Sequence, residues 1–386
     1  MRLATGQPGL RMHCSSITGS KRCRLYIRIL EVGTGLDERQ DRRLQFVRMA
    51  YPSFSQQKRA SKKYPATFLH FDAFFDSETR RTVRQGMWQM ARDMFVDMVS
   101  TAVGKLMEPP PGLEFDFSKP PGEPALVAAD SISWRIFKNP VSLFVGGVTA
   151  VILELAEPSV RTGVWDHSSF RRDAATRLRR TGFAAMMTVY GPRSAAEKMI
   201  ERIVRMHDRI QGTTPEGIEY HANDPRLLDW VQATASFGFI EAYHRYVTPL
   251  TDAQRSQAFA ESALAASLYG AKGAPKSLVE WHRALRATEP MLVKSDIIFE
   301  FLEIMRTTPL LPPGLGPFQR LFVQAAVDIV PPQVLDRIGL APARFSRANH
   351  ALVRSIGRLA DRIPVKAAPP AQASRRLGLA PDFLYR

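Results

Sequence analysis

Apolar residues recur every three or four positions along most of the chain, which is the spacing of one face of an α-helix. Strand-like alternation occurs only in the short stretch 25–29. We therefore predict an all-α protein. The expected helices are 82–106, one that begins after Asp130 or Ser131, 141–155, 173–190, 194–210, 224–247, 252–268, 275–287, 296–305, 317–330 and 345–362.

Local signals mark helix ends and divide the chain. Ser194 and Glu197 have the spacing of a capping box, and Asp224 before Pro225 marks the start of a long helix. Six prolines between 108 and 124 exclude a helix there and indicate a linker. The predicted parts are a basic, flexible arm (1–63), a helical extension with the proline-rich linker (64–122), the main helical domain (123–345), and a C-terminal helix with a loose tail after Pro364 (346–386).

Four methionines form a stripe on the first predicted helix. Met87, Met90, Met94 and Met98 are spaced by three and four residues, so they share one helix face. Such a stripe fills a core or, because thioethers adapt to irregular shapes, lines a passage for apolar ligands. Both interpretations stay open at this point.

The composition excludes several classes of protein. With 386 residues, 45% of them hydrophobic and 23% charged, the chain is neither wholly disordered nor collagen-like. The only cysteines, Cys14 and Cys23, lie in the arm, which excludes a disulfide framework and a cysteine-based metal site. The longest apolar run, 141–153, is shorter than the roughly 20 residues that span a bilayer. We expect a soluble protein or one that sits on a membrane surface.

The net charge of +16 is concentrated in the arm. Residues 1–63 hold 14 Lys or Arg against 4 acidic residues, a net +10, which leaves +6 for the remainder. This pattern favours a basic leader, with a surface-binding arm as the alternative; no aromatic-interleaved basic stripe or recognised motif indicates a nucleic-acid partner. No apolar segment of a secretory signal follows Met1, so we expect a cytoplasmic location, with peripheral membrane contact through the arm as an option. The oligomeric state stays open.

One histidine has a distinctive position. The sequence lacks an HExxH motif, a GxSxG elbow and a phosphate-binding glycine loop, so the usual metal-hydrolase, serine-hydrolase and nucleotide motifs are missing. His207 continues the apolar stripe of Ala196, Ile200 and Ile203 on helix 194–210. It is either a core histidine bonded to a backbone carbonyl or the single axial ligand of a buried haem iron, which needs one inward neutral imidazole.

The neighbouring helices supply further candidates. Arg177 and Thr181 share a face of helix 173–190, with Arg180 one turn from Arg177. These arginines are either solvated or stand beside a cavity, where they could stabilise negative charge on bound dioxygen or pair with a haem propionate. Tyr220 and Trp230, near the start of helix 224–247, are either core residues or an aromatic wall against a macrocycle.

The order of these short motifs resembles a known family. The motifs are Gly163-Val164, His167-Ser168, Phe170, Arg177-Leu178-Arg179-Arg180-Thr181, Tyr190-Gly191, His207, Gly212, Tyr220-His221-Ala222-Asn223-Asp224-Pro225 and Trp230-Val231. Over about residues 123–340 the chain is similar to the family shared by latex-clearing proteins (rubber oxygenases) and MpaB-type oxygenases.

The resemblance implies a globin-like multi-helix bundle that encloses haem b and uses dioxygen to oxidise a hydrophobic or isoprenoid substrate. It implies His207 as the proximal iron ligand and Arg177, Arg180 and Thr181 as a distal catalytic cluster; Tyr220 and Trp230 stay candidate cofactor contacts from their positions alone. Rubber-cleaving members have a lysine at the position of Arg180, and a guanidinium, which stays protonated, cannot replace it as an iron ligand. Glu154 and Glu157 are the candidates for a catalytic carboxylate.

Two other functions are compatible with the same residues. The first is a haem-free carrier of apolar molecules, which would use the cavity without iron. The second is a peripheral membrane protein that docks on anionic lipid through the +10 arm.

Overall fold

The computed structural model describes residues 112–340 and 345–385, together with scattered helical positions between 85 and 104. The chain divides after Met87, and the architecture below is that of the second unit, residues 88–386. The predicted basic arm and the stretch 25–29 lie outside the described residues. The four-part division of the chain therefore stays a prediction.

Fourteen α-helices and one small hairpin lie within residues 112–340 and 345–385. The first five helices are α1 (Ile132–Phe137), α2 (Pro140–Ala156), α3 (Pro158–His167), α4 (Ala174–Tyr190) and α5 (Arg193–His207). An antiparallel hairpin of β1 (Gln211–Thr213) and β2 (Glu219–His221) follows, with Gln211 opposite His221. The remaining helices are α6 (Pro225–Tyr246), α7 (Asp252–Glu261), α8 (Ala263–Leu268), α9 (Leu278–Thr288), α10 (Asp296–Thr307), α11 (Gly316–Ile329), α12 (Pro332–Ile338), α13 (Arg347–Ala360) and α14 (Pro369–Arg376). The all-α prediction is confirmed.

Several helix starts follow the predicted caps, and one does not. Ser131 caps α1 by accepting from Trp134 N, and Asp224 caps α6 by accepting from the second helical amide. The capping box at Ser194 is wrong. Helix α5 begins one residue earlier, after Pro192, and the amide of Ser194 donates to Glu123 Oε1 at 2.7 Å. The partner of this amide comes from a segment distant in sequence, which local spacing cannot reveal.

The centre of the molecule is a close crossing of α2 and α6. A Cβ atom built on Gly146 would lie 2.7 Å from Phe239 Cα and 2.8 Å from Gly238 O, so the two backbones touch directly. Trp230 and Phe237 of α6 both stack on Trp281 of α9, at centroid distances of 6.0 and 4.3 Å. This crossing and its aromatic stack form the main core and hold α2 in a fixed position.

Residues 112–127 and helix α14 flank the bundle and are joined by one buried arginine. We call these two segments together the clasp. Arg376 of α14 is only 2% exposed. Its guanidinium donates to Glu123 O at 2.8 Å, to Phe117 O at 2.5 Å and to Tyr190 O at 2.8 Å. The clasp therefore ties both flanks of the bundle to the end of α4.

The clasp overturns the prediction of a loose tail after Pro364. Helix α14 starts with Pro369 at its first turn and buries Ala371, Ala373 and Ser374. Apart from Arg376, its buried side chains are small, so the sequence shows no strong apolar stripe. The order comes from partners more than 180 residues away along the chain, which no local pattern signals.

The methionine stripe is exposed where the structure describes it. Met90 is 54%, Met94 67% and Met98 39% exposed, while Met87 lies outside the described residues. The interpretation of these three side chains as core filler is wrong, and none of them lines the cavity described below.

No single helix among the described residues combines the length and apolar character needed to cross a bilayer; α2 and α3 meet that test only together, as a pair bent by 110°.

Candidate functional site

Glu154 is a carboxylate deep inside the bundle. It lies in the last turn of α2, where protein atoms surround it although part of its side chain stays accessible. Burial raises the pKa of Glu154 to about 7, although the Arg177 guanidinium and the Thr234 hydroxyl both favour the charged form. Glu154 can therefore give up or accept a proton near neutral pH.

Arg177 and Thr181 form a pair one turn apart on α4. Arg177 donates to Thr181 Oγ1, and that hydroxyl donates to Arg177 O at 3.0 Å. Burial lowers the pKa of Arg177, against the opposing effect of Glu154. Arg180, the third member of the predicted cluster, is exposed and has no hydrogen bond or ion pair to another described residue. The structure thus places Arg177 near Glu154 and Thr181 beside Arg177, and both Thr181 and Arg180 are exposed.

His207 is the last residue of α5 and lies within electrostatic range of Arg177. Its side chain is half-buried, and its Nδ1 atom is fully buried without a hydrogen-bond partner among the described residues. Burial lowers the pKa of His207, with Arg177 acting in the same direction and the Asn223 amide in the opposite one. The imidazole is therefore neutral at pH 7, which is the form that binds a metal.

Tyr220 and Trp230 have packing roles in the structure. Tyr220 is buried on β2, and its hydroxyl lies 2.7 Å from where a Cβ of Gly212 would be. Trp230 Nε1 donates to Leu153 O at 3.2 Å, so this indole anchors α2 one residue before Glu154. Neither side chain lines the cavity described below. Their proposed contact with a macrocycle stays a prediction.

The structure distinguishes the two candidate carboxylates. Glu157 is 3% exposed and caps α3, accepting from Val160 N at 2.7 Å, while its other oxygen pairs with Arg226 at 2.9 Å. All its acceptors are engaged in holding α2, α3 and α6 together. Glu154 is thus the carboxylate beside the Arg177–Thr181 pair.

An apolar cavity of about 220 Å³ lies between α2, α4, the clasp and the end of α10. Helix α2 contributes Leu143, Gly147 and Val151, and Glu154 follows one turn later on the same face. Helix α4 contributes Thr181, which also contacts Arg177. The cavity and the polar cluster of Glu154, Arg177 and Thr181 are therefore neighbours along the same two helices.

A haem iron needs fewer protein ligands than a bare metal ion does. No group of three His, Cys, Asp or Glu side chains converges within the described part of the chain. A porphyrin supplies four iron ligands itself and needs a single neutral imidazole from the protein. The buried Nδ1 of His207 makes no hydrogen bond of good geometry with a described residue, although the Asn223 side chain, whose Oδ1 is also buried, is close enough to act on the imidazole as a hydrogen-bond partner.

Two residues of this region were not predicted from the sequence. Thr234 is fully buried on α6, and its hydroxyl lowers the pKa of Glu154 by hydrogen bonding. Asn223 donates to Val204 O at 3.0 Å, and its Oδ1 atom is buried near His207 without a hydrogen bond of good geometry. Asn223 lies inside the motif 220–225, so its position next to a candidate ligand could have marked it. Thr234 has no such signal.

Comparison with known proteins identifies the family of the chain. The family model described as "ER-bound oxygenase mpaB/B'/Rubber oxygenase, catalytic domain" matches residues 134–362, more than half of the chain. Comparison with curated proteins and with solved structures finds no match. The matched range holds the α2–α6 crossing, Glu154, the Arg177–Thr181 pair and His207. The chain belongs to the MpaB and rubber oxygenase catalytic-domain family, which is a family of oxygenases.

Proposed function

We propose that the protein is a haem-b-dependent oxygenase that acts on a hydrophobic substrate, with an isoprenoid chain as one candidate, and that His207 is the axial iron ligand. The observation that carries this proposal is the half-buried His207 imidazole, whose buried Nδ1 atom has no hydrogen bond of good geometry and whose pKa is lowered by burial and by Arg177. Family membership supports the oxygenase chemistry. Haem b, when bound, would supply the iron that activates the co-substrate dioxygen.

The residues of the chain have separate tasks in this proposal. Arg177 would stabilise negative charge that develops on a ligand, and Thr181, whose hydroxyl bonds to Arg177, would hold the guanidinium beside the cavity. Glu154, with its pKa of about 7, would exchange a proton at its carboxylate. The apolar walls of the cavity exclude water and bind the substrate. Arg180 is proposed only as a charge at the edge of this cluster.

The absorption spectrum of the purified protein tests the proposal. After expression with a haem supply, we expect a Soret band that shifts on reduction and on addition of carbon monoxide. His207→Ala should lose most of the bound haem, because the only protein ligand is removed. The matched control is His282→Ala, which removes an exposed imidazole from α9.

For all three proteins, the pyridine haemochrome assay measures haem content and far-ultraviolet circular dichroism measures helical structure. A folded wild-type protein without a Soret band, or equal haem content in His207→Ala and wild type, would contradict the assignment.

One observation favours a second candidate, the haem-free carrier of apolar ligands. His207 is not among the residues that line the 220 Å³ cavity, so that cavity could bind a ligand without iron. In that case apolar ligands should bind equally well to wild-type protein and to His207→Ala, and no preparation should contain haem.

A further inference from the structure

The apolar cavity has few polar side chains. Among the described residues that line it, only Arg179, Thr181 and Gln372 are polar, and none is acidic. Pockets for small molecules commonly combine apolar walls with a few polar groups that fix the ligand's orientation. The bonding state of these three side chains therefore indicates which ligand group the cavity can recognise.

Two of the three polar groups are already engaged by the protein. Thr181 exchanges hydrogen bonds with Arg177. Gln372 accepts from Phe117 N at 2.9 Å and donates to Ala367 O at 2.6 Å, so its amide closes the clasp over the cavity. Neither side chain has its main bonding capacity free for a ligand.

Arg179 differs from both. It is half-buried on α4, it lines the cavity, and it makes no hydrogen bond or ion pair with another described residue. Asp173 is near enough to feel its charge, but the Asp173 carboxylate is exposed and caps α4 by accepting from Thr176 N at 3.1 Å. A guanidinium has five N–H donors in a planar fork that matches carboxylate and phosphate oxygens.

We propose that the cavity binds an amphiphile, an apolar chain that ends in an anionic group, with Arg179 as the counter-ion of that group. This inference rests on the proposed function, because it names the substrate class of the same site. A carboxylate and a phosphate share the required chemistry: two or more acceptor oxygens and a negative charge.

Isothermal titration calorimetry of the full-length, haem-supplemented protein tests this inference with three probes: decanoate and decyl phosphate below their critical micelle concentrations, and decanol below its solubility limit. We expect at least one of the two anionic probes to bind about tenfold or more tightly than decanol, since charged hydrogen bonds are the stronger ones. Arg179→Gln should remove this preference and leave the affinity for decanol unchanged. Arg172→Gln, which removes an exposed arginine outside the cavity, should preserve the preference.

A second variant tests the place of binding. A Cβ on Gly182 would meet nothing within 4 Å, and Gly182 lines the cavity, so Gly182→Leu should fill the space without disturbing α4. It should abolish binding of all three probes while circular dichroism stays unchanged.

Each outcome of these titrations either supports the inference or overturns it. The relative affinity of decanoate and decyl phosphate shows which anion is the better match, and a preference for either supports the inference. Equal affinity of all three probes, an unchanged preference in Arg179→Gln, or unchanged binding in Gly182→Leu would overturn it. Because the readout is binding, a protein that lacks a Soret band but still prefers decanoate would contradict the proposed oxygenase alone.

Discussion

Replacement of Arg376 by methionine should loosen both flanks of the bundle. The substitution keeps a long apolar side chain but removes three donors, whose acceptors Phe117 O, Glu123 O and Tyr190 O are 2.5 to 2.8 Å away. Hydrogen bonds from a charged donor contribute roughly 1.5–3 kcal/mol each. Part of this loss is offset because the burial of a guanidinium itself costs free energy. We expect a net loss of about 3–5 kcal/mol in the free energy of unfolding, as for other broken buried networks.

Urea denaturation followed by circular dichroism measures the loss. Hydrogen exchange of peptides that cover 115–123 shows where it occurs, because the amide of Gly122 donates to Arg376 O and should lose protection first. Arg375→Met is the matched control: this neighbour is exposed, and among the described residues its side chain donates only to Lys366 O. If Arg376→Met costs less than about 1 kcal/mol and exchange at 115–123 is unchanged, the clasp has no energetic importance and the reasoning is refuted.

Two further predictions concern α2. Gly146→Ala should lower the free energy of unfolding by about 1–3 kcal/mol, because its Cβ would lie 2.7 Å from Phe239 Cα and the helices must separate. Gly147→Ala, whose Cβ meets only a ring atom at 3.9 Å, should be neutral or stabilising. Thermal denaturation compares the two variants, and equal effects would contradict the close crossing. For Glu154, burial raises the pKa to about 7, so the folded state holds its proton more tightly than the unfolded state, and the contribution of Glu154 to stability should fall as the pH rises from about 5 to about 7. Glu154→Gln cannot titrate and should lose less stability over that interval in urea denaturation; parallel curves for the two proteins would show that Glu154 does not titrate there.

The sequence predicts the long helices well because their side chains carry the period themselves. Helices α4, α6, α10, α11 and α13 lie within or close to the predicted windows. The window 252–268 is two helices instead of one, since the chain bends at Ser262, whose hydroxyl donates to Phe259 O at 2.7 Å. The short helices α3, α12 and α14 have too few turns to show a period, so they were missed.

The candidate site was predictable only in part. The pair Arg177 and Thr181 followed from a spacing of four on one helix, which is local information. That Glu154 faces this pair while Glu157 does not depends on how α2 packs against α4 and on the turn between α2 and α3. Arg376, which looks like an ordinary surface arginine in the sequence, is buried because its acceptors come from residues 117, 123 and 190.

The clasp affects which residues a recombinant fragment of this protein must include. The family match covers 134–362, yet Phe115, Phe117 and Gln372, which line the cavity, lie beyond those limits on either side. A recombinant fragment that spans only 134–362 would lose this wall and expose the apolar surface between α2 and α4 to water. Such a fragment should aggregate, whereas one that spans 112–385 retains the residues that cover the apolar lining.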